Sequence, residues 1–448
     1  MFKRREKKLQ LSPDQEDLCG HITDKNILNR DRIKFGIASI MYQSEESAFG
    51  PVHNVIIRAM GGTDIAQGIL FAGMSQSQSV TQWIGSLLLR FYGSNRKAMN
   101  ISLLGGAIAS ALLAVTMVLA NILPAYMGVY LVLYIAFVFG LSGTTGMQLN
   151  VETNWIGDLT PTRLRGWFTS MKWIIAVLGG MIMLVFFGRI ADWRPGFLTY
   201  MFLFIYMTIT TLIAMFLMST VTDRKPKTTV FFGKKDNPDR VNYRNPYLWR
   251  YIWFFLCWSG GRTMFWSFTT LYMIDYFGMT LSKIVPVLLI SNVVSIVMLY
   301  LMGNLTDKIG TRKPLMIISG SVACSMLLWL VSAWAGLAAI IVFQVINGAA
   351  GHTHSMLSIN FGLEVLPEKG RAAYFAFARI LIGAGIMLFV SLGGCVMHSL
   401  RGWETTLFGS VVNHYHLYFL GCAVFSFSSV IPLMLSKPAN KIDDCQPA

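Results

Sequence analysis

The sequence predicts an all-α membrane protein: twelve transmembrane helices in two pseudo-symmetric six-helix bundles. Three observations carry this. Of the 448 residues, 54% are apolar and only 13% are charged, where a soluble globular chain carries about 25% charged residues. Twelve stretches are long and apolar enough to cross a hydrocarbon core, which takes about 20 helical residues. Finally, the basic residues gather on one side of those stretches, as membrane topology demands.

The stretches are 34–58, 63–91, 98–120, 126–152, 166–189, 196–220, 250–275, 281–303, 314–334, 337–363, 370–396 and 416–436. The third, with Ala-Leu-Leu-Ala-Val at 111–115, is among the clearest. The first two are the weakest. One holds Gln43, Ser44, Glu45, Glu46, His53 and Asn54, and the other Ser-Gln-Ser-Gln-Ser at 75–79. A hydropathy window drops that pair together, leaving the parity unchanged. Gly and Ser within the runs let helices approach closely where lipid, not water, surrounds them. The strongly apolar sequence begins after some thirty polar residues, too late for a signal peptide, so residues 1–33 read as a retained tail.

The 37 Lys and Arg residues fix the orientation. Nearly all sit in the tail, the central hydrophilic segment and the loops on the side of the N-terminus. Arg58, Arg189, Arg194, Lys283 and Arg401 fall on the opposite face, while Arg262 and Arg379 lie within stretches. Both termini are therefore expected in the cytoplasm, in a cell (plasma or inner) membrane. The net charge of +15 is this bias, not a nucleic-acid surface. The six cysteines stand singly, mostly in apolar runs; they carry no metal-ligand spacing, and neither metal nor other cofactor is expected.

Residues 221–249 carry eight basic residues and Asn-Pro twice, and read as a linker between bundles 34–220 and 250–436, with a second tail at 437–448. An internal repeat supports the division. Asp158-Leu-Thr-Pro161-Thr-Arg-Leu-Arg165 follows the fourth stretch and Glu364-Val-Leu-Pro367-Glu-Lys-Gly-Arg371 the tenth. Each is an acid, a proline three residues on, and an arginine four further.

Between the eighth and ninth stretches stands Gly303-Asn-Leu-Thr-Asp307-Lys308-Ile-Gly310-Thr-Arg312-Lys313. With the six-plus-six pattern and the basic central loop, this resembles the major facilitator superfamily. Its loop motif, G-x-x-x-D-(R/K)-x-G-(R/K)-(R/K), is matched except at Thr311. The corresponding loop after the second stretch, Gly85 to Lys97, keeps basic residues but has no aspartate. The resemblance implies a transporter fold whose spans 1, 4, 7 and 10 line a central cavity. Asp307 is placed to meet the positive N-terminal end of a helix in the other half, near Arg165. Arg312 is placed to pair with Glu364. Gly303, Gly310, Asp158 and Arg371 complete this candidate cytoplasmic gate; the plainer reading is a set of solvated loop charges.

Deep polar residues concentrate on the same four spans, where ionisable groups are costly and so suggest function. Gln43, Glu46, Gly50, His53 and Asn54 share a helix face, with Glu45 about 100° round. Glu46 is the better proton or ion site and Glu45 the second. On span 7, Trp258, Arg262, Phe265 and Thr269 share a face. Arg262 needs a carboxylate, either of the substrate or of Glu45, Glu46 or Glu152. Span 10 offers Gln344, Asn347, Gly348, Gly351, Ser355 and Ser358, bordered by His352 and His354. Span 4 offers Thr145, Gln148 and Glu152, the last expected to pair with Arg96 or Arg165. Each has a structural alternative: interhelical hydrogen bonds for the acids and histidines, a fixed ion pair for Arg262, packing for the span 7 aromatics.

The substrate-binding candidates are thus Gln43, Glu46, His53, Gln148, Trp258, Arg262, Gln344, Asn347 and His352, with Glu45, Glu46 and Arg262 for coupling. The reading is a monomeric secondary transporter in the lipid bilayer. It moves a small polar or anionic organic solute, a carboxylate or sugar derivative, by alternating access with protons. The alternatives are an efflux antiporter for drugs or metabolites, suited by the aromatics and 26 methionines, and a transport-inactive sensor or assembly factor. No nucleophile–base set, zinc motif or nucleotide loop suggests an enzyme.

Overall fold

Local chemistry sets where the helices begin and end. The structure, a computed structural model, describes residues 25–44, 50–160, 162–223, 242–302, 312–366 and 371–435. Helices α1 (Lys25–Ser44) and α2 (Gly50–Ala59) cover the first stretch. Thr63 caps α3 (Asp64–Tyr92) by accepting from the Ala66 amide, and Gly93 ends it in the left-handed region at φ 57°, where a side chain would be strained. Ser94 caps α4 (Asn95–Ile122) in the same way. Next come α5 (Met127–Leu159), α6 (Thr162–Trp193) and α7 (Phe197–Ser219). Asn245 caps α8 (Pro246–Asp275), whose first residue is a proline that has no amide to leave orphaned. The chain continues through α9 (Leu281–Met302), α10 (Arg312–Met326), α11 (Leu328–Ala335), α12 (Leu337–Val365) and α13 (Arg371–Ser399). A hairpin of β1 (Glu404–Leu407) and β2 (Ser410–Asn413) precedes α14 (His414–Phe427) and α15 (Val430–Leu435).

Among the described residues, helix is found within each of the twelve stretches. Eight helical segments among the described residues are long and apolar enough to cross a membrane. The first, second, seventh and tenth stretches are not among them: α3 and α8 carry polar residues along their length, and in the other two the described apolar part is shorter, Leu337–Gly351 in the tenth.

The packing repeats with a period of six stretches. In the first half α1 packs on α6 and α7, α3 on α5, and α4 on α5 and α7. In the second half α8 packs on α13 and α14, α9 on α12, and α10 on α12 and α14. The halves meet along two equivalent seams, α3 against α13 and α6 against α9. Glycine makes the first seam possible: a Cβ on Gly68 would lie 2.9 Å from the Gly394 Cα. Backbone-to-backbone approach of this kind is how helices gain packing in lipid.

The structure departs from expectation in two places. The first helix starts at Lys25, inside the supposed polar tail, because Asp31 is buried and accepts from the Thr222 amide at 3.2 Å. Leu28 and Phe35 join the apolar core on the same helix. The second departure is the β-hairpin between α13 and α14, which helical periodicity did not foresee. We call the end of the bundle that holds Lys34, Thr220, Arg250 and Leu435 the inner end. The end holding Arg58, Asp275 and the hairpin is the outer end.

Candidate functional site

The helix pair α8 and α12 builds the centre of the second half by interleaving rings. Phe361 packs on Phe254 (5.6 Å between centroids), and Phe343 on Phe265 (5.1 Å). Between them His354 stacks on Trp258, with centroids 3.9 Å apart and planes 16° from parallel. One turn along α8 from Trp258, the half-buried Arg262 guanidinium lies 5.8 Å from the same indole centroid, within cation–π range. Trp258, Arg262 and His354 thus form one contiguous group that joins a cation, a π-face and an imidazole.

Spacing on α12 places Asn347 on the face of Phe343, His354 and Phe361, since steps of four and seven residues return to one side of a helix. Asn347 is buried with its Oδ1 unsatisfied, and the buried Gln344 has neither amide atom satisfied. Such groups normally find partners, and each one left bare is costly. The expected span 10 stripe divides between two neighbours. Gly348 turns to α9, where its carbonyl accepts from Ser295 Oγ at 2.7 Å. His354 is a histidine that meets α8; the His352 side chain lies outside the described residues.

In the first half, His53 is buried with its Nδ1 2.5 Å from the Tyr134 hydroxyl, tying α2 to α5. Gln67 donates to Asn54, tying α3 to α2. Gln148 Nε2 donates to the Ser102 carbonyl at 3.3 Å, which turns it toward α4. Glu45 and Glu46 lie outside the described residues, as does the side chain of Gln43.

Toward the inner end, Glu152 pairs with Lys172 at 2.6 Å, both nearly inaccessible. The sequence pattern pairs Glu152 with Arg96 or Arg165 instead; the Arg165 side chain lies outside the described residues. Lys172 reads as a loop charge in sequence but sits well inside α6, and Arg96 is occupied with the Val221 carbonyl at 2.6 Å. Asp158 accepts from Asn95 Nδ2 at 2.9 Å. Arg312 donates to the Leu433 and Met434 carbonyls at 2.8 and 2.5 Å, joining α10 to the C-terminal end of α15, where unpaired carbonyls favour a cation. Gly303, Asp307 and Gly310 lie outside the described residues, as do the side chains of Arg165, Glu364 and Arg371.

The outer end holds a group that the sequence reading missed. Arg58 at the end of α2 forms a two-pronged ion pair with Asp275 at the end of α8, the second prong 2.5 Å long. Tyr415 on α14 donates to the same carboxylate and accepts from Arg58 at 3.2 Å. Beside this clamp is a cavity of about 520 Å³, lined among others by Thr63, Asp64 and Arg401. A second contact reinforces the first: Asp192, at the end of α6, accepts from the Leu281 and Ser282 amides at 3.1 and 2.6 Å. Both contacts join one half to the other, and both lie at the outer end. The available signal was that Arg58 and Asp275 close the first and seventh stretches, equivalent places in the repeat.

The family model described as Major Facilitator Superfamily matches residues 35–389. Among solved structures, the chain is similar to the xylose transporter XylE from E. coli in a partially occluded inward open conformation. The TM-score is 0.71 at 12% identity, covering 92% of this chain and 98% of that one. It is also similar to a D323A mutant of the nucleoside transporter NupG (TM-score 0.64, 12% identity, 90% and 99% covered). A bacterial homologue of the human lysosomal transporter Spinster, inward-facing and occupied, aligns at TM-score 0.63 and 13% identity, with 92% and 96% covered. No curated protein matches the sequence.

Proposed function

The chain belongs to the major facilitator superfamily, and from that premise we propose that it is a secondary active transporter of a small polar or anionic organic solute, a carboxylate or sugar derivative. It works by alternating access, coupled to protons, from a plasma or inner membrane with both termini in the cytoplasm. The observation that carries the reading is Arg262, a cation midway along a membrane helix and held against Trp258, on which His354 stacks. Translocon insertion scales put such a residue at about 2.5–3.5 kcal/mol in the helix centre. Recognition of a solute's carboxylate or hydroxyls accounts for keeping it there. The indole face supplies an apolar wall, and Asn347 and Gln344 supply amides with unused hydrogen-bonding capacity.

The clamped outer end supports an inward-facing state. In this mechanism the halves rock about the α3–α13 and α6–α9 seams, the Arg58–Asp275 and Asp192 contacts part, and the site faces outward. Glu46, with Glu45 as the second candidate, carries the proton. Asp307 and its motif, with Asp158, Arg165, Glu364 and Arg371, act at the inner gate. Gln43, His53, Gln148 and His352 complete the proposed solute-binding set.

Uptake by proteoliposomes tests this, with a panel of organic acids and sugars and with or without an imposed pH gradient. We expect gradient-driven accumulation of a panel member, lost in Arg262→Gln and reduced to equilibration in Glu46→Gln. Accumulation indifferent to the gradient removes the proton; an Arg262→Gln chain that transports normally removes the site.

A further inference from the structure

We propose that the β1–β2 hairpin is a membrane anchor whose tip, Leu407-Phe408-Gly409, lies in the outer-face headgroup layer of the bilayer. The hairpin joins α13 to the α14–α15 segment, each apolar and long enough to cross the membrane, so it is rooted at the hydrocarbon boundary. Its register, Leu407 opposite Ser410, leaves a two-residue loop of Phe408 and Gly409. Both have positive φ, 48° and 80°, as a type I′ turn requires. Such turns favour Asn-Gly, and a bulky aromatic at the first position is strained. Phe408 is also 90% exposed, the most exposed of the large apolar residues described. A strained backbone that presents a phenyl ring to water has no folding rationale; one that presents it to lipid does.

Three further features name the bilayer as the occupant. The first is attachment. The Trp334 indole donates to the Leu407 carbonyl at 3.2 Å, and the Tyr276 hydroxyl donates to the Val411 carbonyl at 3.1 Å. These bonds tie both strands of the hairpin to the outer ends of α8 and α11. The second is continuity: Val331 and Trp334 on α11 are exposed, and so are Leu407, Phe408 and Val411. The apolar flank of a membrane helix therefore runs on into the hairpin. The third is chemistry. Thr405 to Val412 contain no charged side chain, while Trp334 and Trp403 stand alongside, the residues that populate membrane interfaces. Four-residue strands reach only about 13 Å, so the tip stays close to the headgroup layer. A lone two-stranded hairpin is at best marginally stable in water, which is a further reason for it to rest on a surface.

The test places an environment-sensitive thiol fluorophore at Phe408→Cys or Val411→Cys, in a chain whose six native cysteines are replaced by alanine. Glu404→Cys at the hairpin root is the control. The chain is reconstituted in phosphatidylcholine vesicles, with or without brominated acyl chains, and challenged with aqueous iodide. At 408 we expect blue-shifted emission, quenched at least threefold more by brominated lipid than at 404, with iodide in the reverse order. Iodide quenching at 408 equal to that at 404 overturns the proposal. So does protection from both quenchers, which would mean that a second copy or another protein segment covers the tip. The 411 label gives an independent reading if the 408 substitution disturbs the turn.

Discussion

Replacing Asp275 by Asn should shift the protein toward an outward-open state by about 30-fold. The substitution keeps the side chain's size but removes the charge from the Arg58 clamp. Fully exposed ion pairs contribute about 0.2–1 kcal/mol, and removing one partner of a buried pair costs about 3–5 kcal/mol. The two side chains here are 32% and 33% exposed, between those limits. The geometry is two-pronged, and Tyr415 adds a third hydrogen bond to the carboxylate. Together these place the loss at about 2 kcal/mol, where about 1.4 kcal/mol is tenfold in population. Both charges are hydrated once the halves separate, so the loss falls mainly on the closed state. Spin labels at Tyr126→Cys and Glu404→Cys, exposed outer sites in the two halves, would report the outer opening by pulsed dipolar spectroscopy. A longer-distance population should grow in Asp275→Asn and shrink again in the charge-reversed Arg58→Asp/Asp275→Arg pair. A change of less than twofold, or no recovery on reversal, would refute the reasoning.

Lys172→Met alone should destabilise the chain by about 3–5 kcal/mol by removing the cation that faces the buried Glu152 carboxyl, while Lys172→Met/Glu152→Gln should recover much of the loss. Thermal unfolding in detergent checks this, and equal Tm values for single and double variants would count against a buried pair. Gly394→Val should cost at least about 1–3 kcal/mol from overpacking, because its Cβ would meet the Asp64 carbonyl at 3.0 Å and the Gly68 Cα at 3.1 Å. Gly421→Ala, with nothing within 4 Å, is the matched control and should be silent apart from a helix-propensity gain. Trp258→Leu removes the stack on His354, an aromatic contact of about 0.5–1.5 kcal/mol. It should raise the KM for the transported solute about 2- to 10-fold and, since Trp258 is buried in the core, lower Tm as well; an unaltered KM would take the indole out of the binding surface.

The positions of the helices were legible because apolar length is a one-dimensional property. Stretches such as 98–120 and 196–220 need no partner to declare themselves. The duplicated acid–Pro–Arg element and the Gly303–Lys313 loop then gave the two-half architecture and the family. Partner choice was less legible. Lys172 looks like one more inner-side charge until α6 is seen to begin at Thr162, and only the folded bundle brings Glu152 to it. His354 borders its stripe in sequence without naming a partner, and only the packing brings it onto Trp258. The hairpin escaped because Thr-Thr-Leu and Val-Val are too short to stand out between long apolar runs. Its β-branched residues around Phe408-Gly409 were the only clue. Arg58 and Asp275 were visible as stretch-ending charges, but their meeting depends on how two halves lean together.

The carboxylate of Asp192 gives α9 something that its own sequence lacks. The first amides of any helix need an acceptor, and those of Leu281 and Ser282 find theirs on the opposite half. The opening turn of α9 is therefore on loan: whenever the outer faces draw apart, those amides must turn to water or the turn must unwind. Under the alternating-access cycle proposed above, amide exchange at the start of that one helix would report each opening of the outer end.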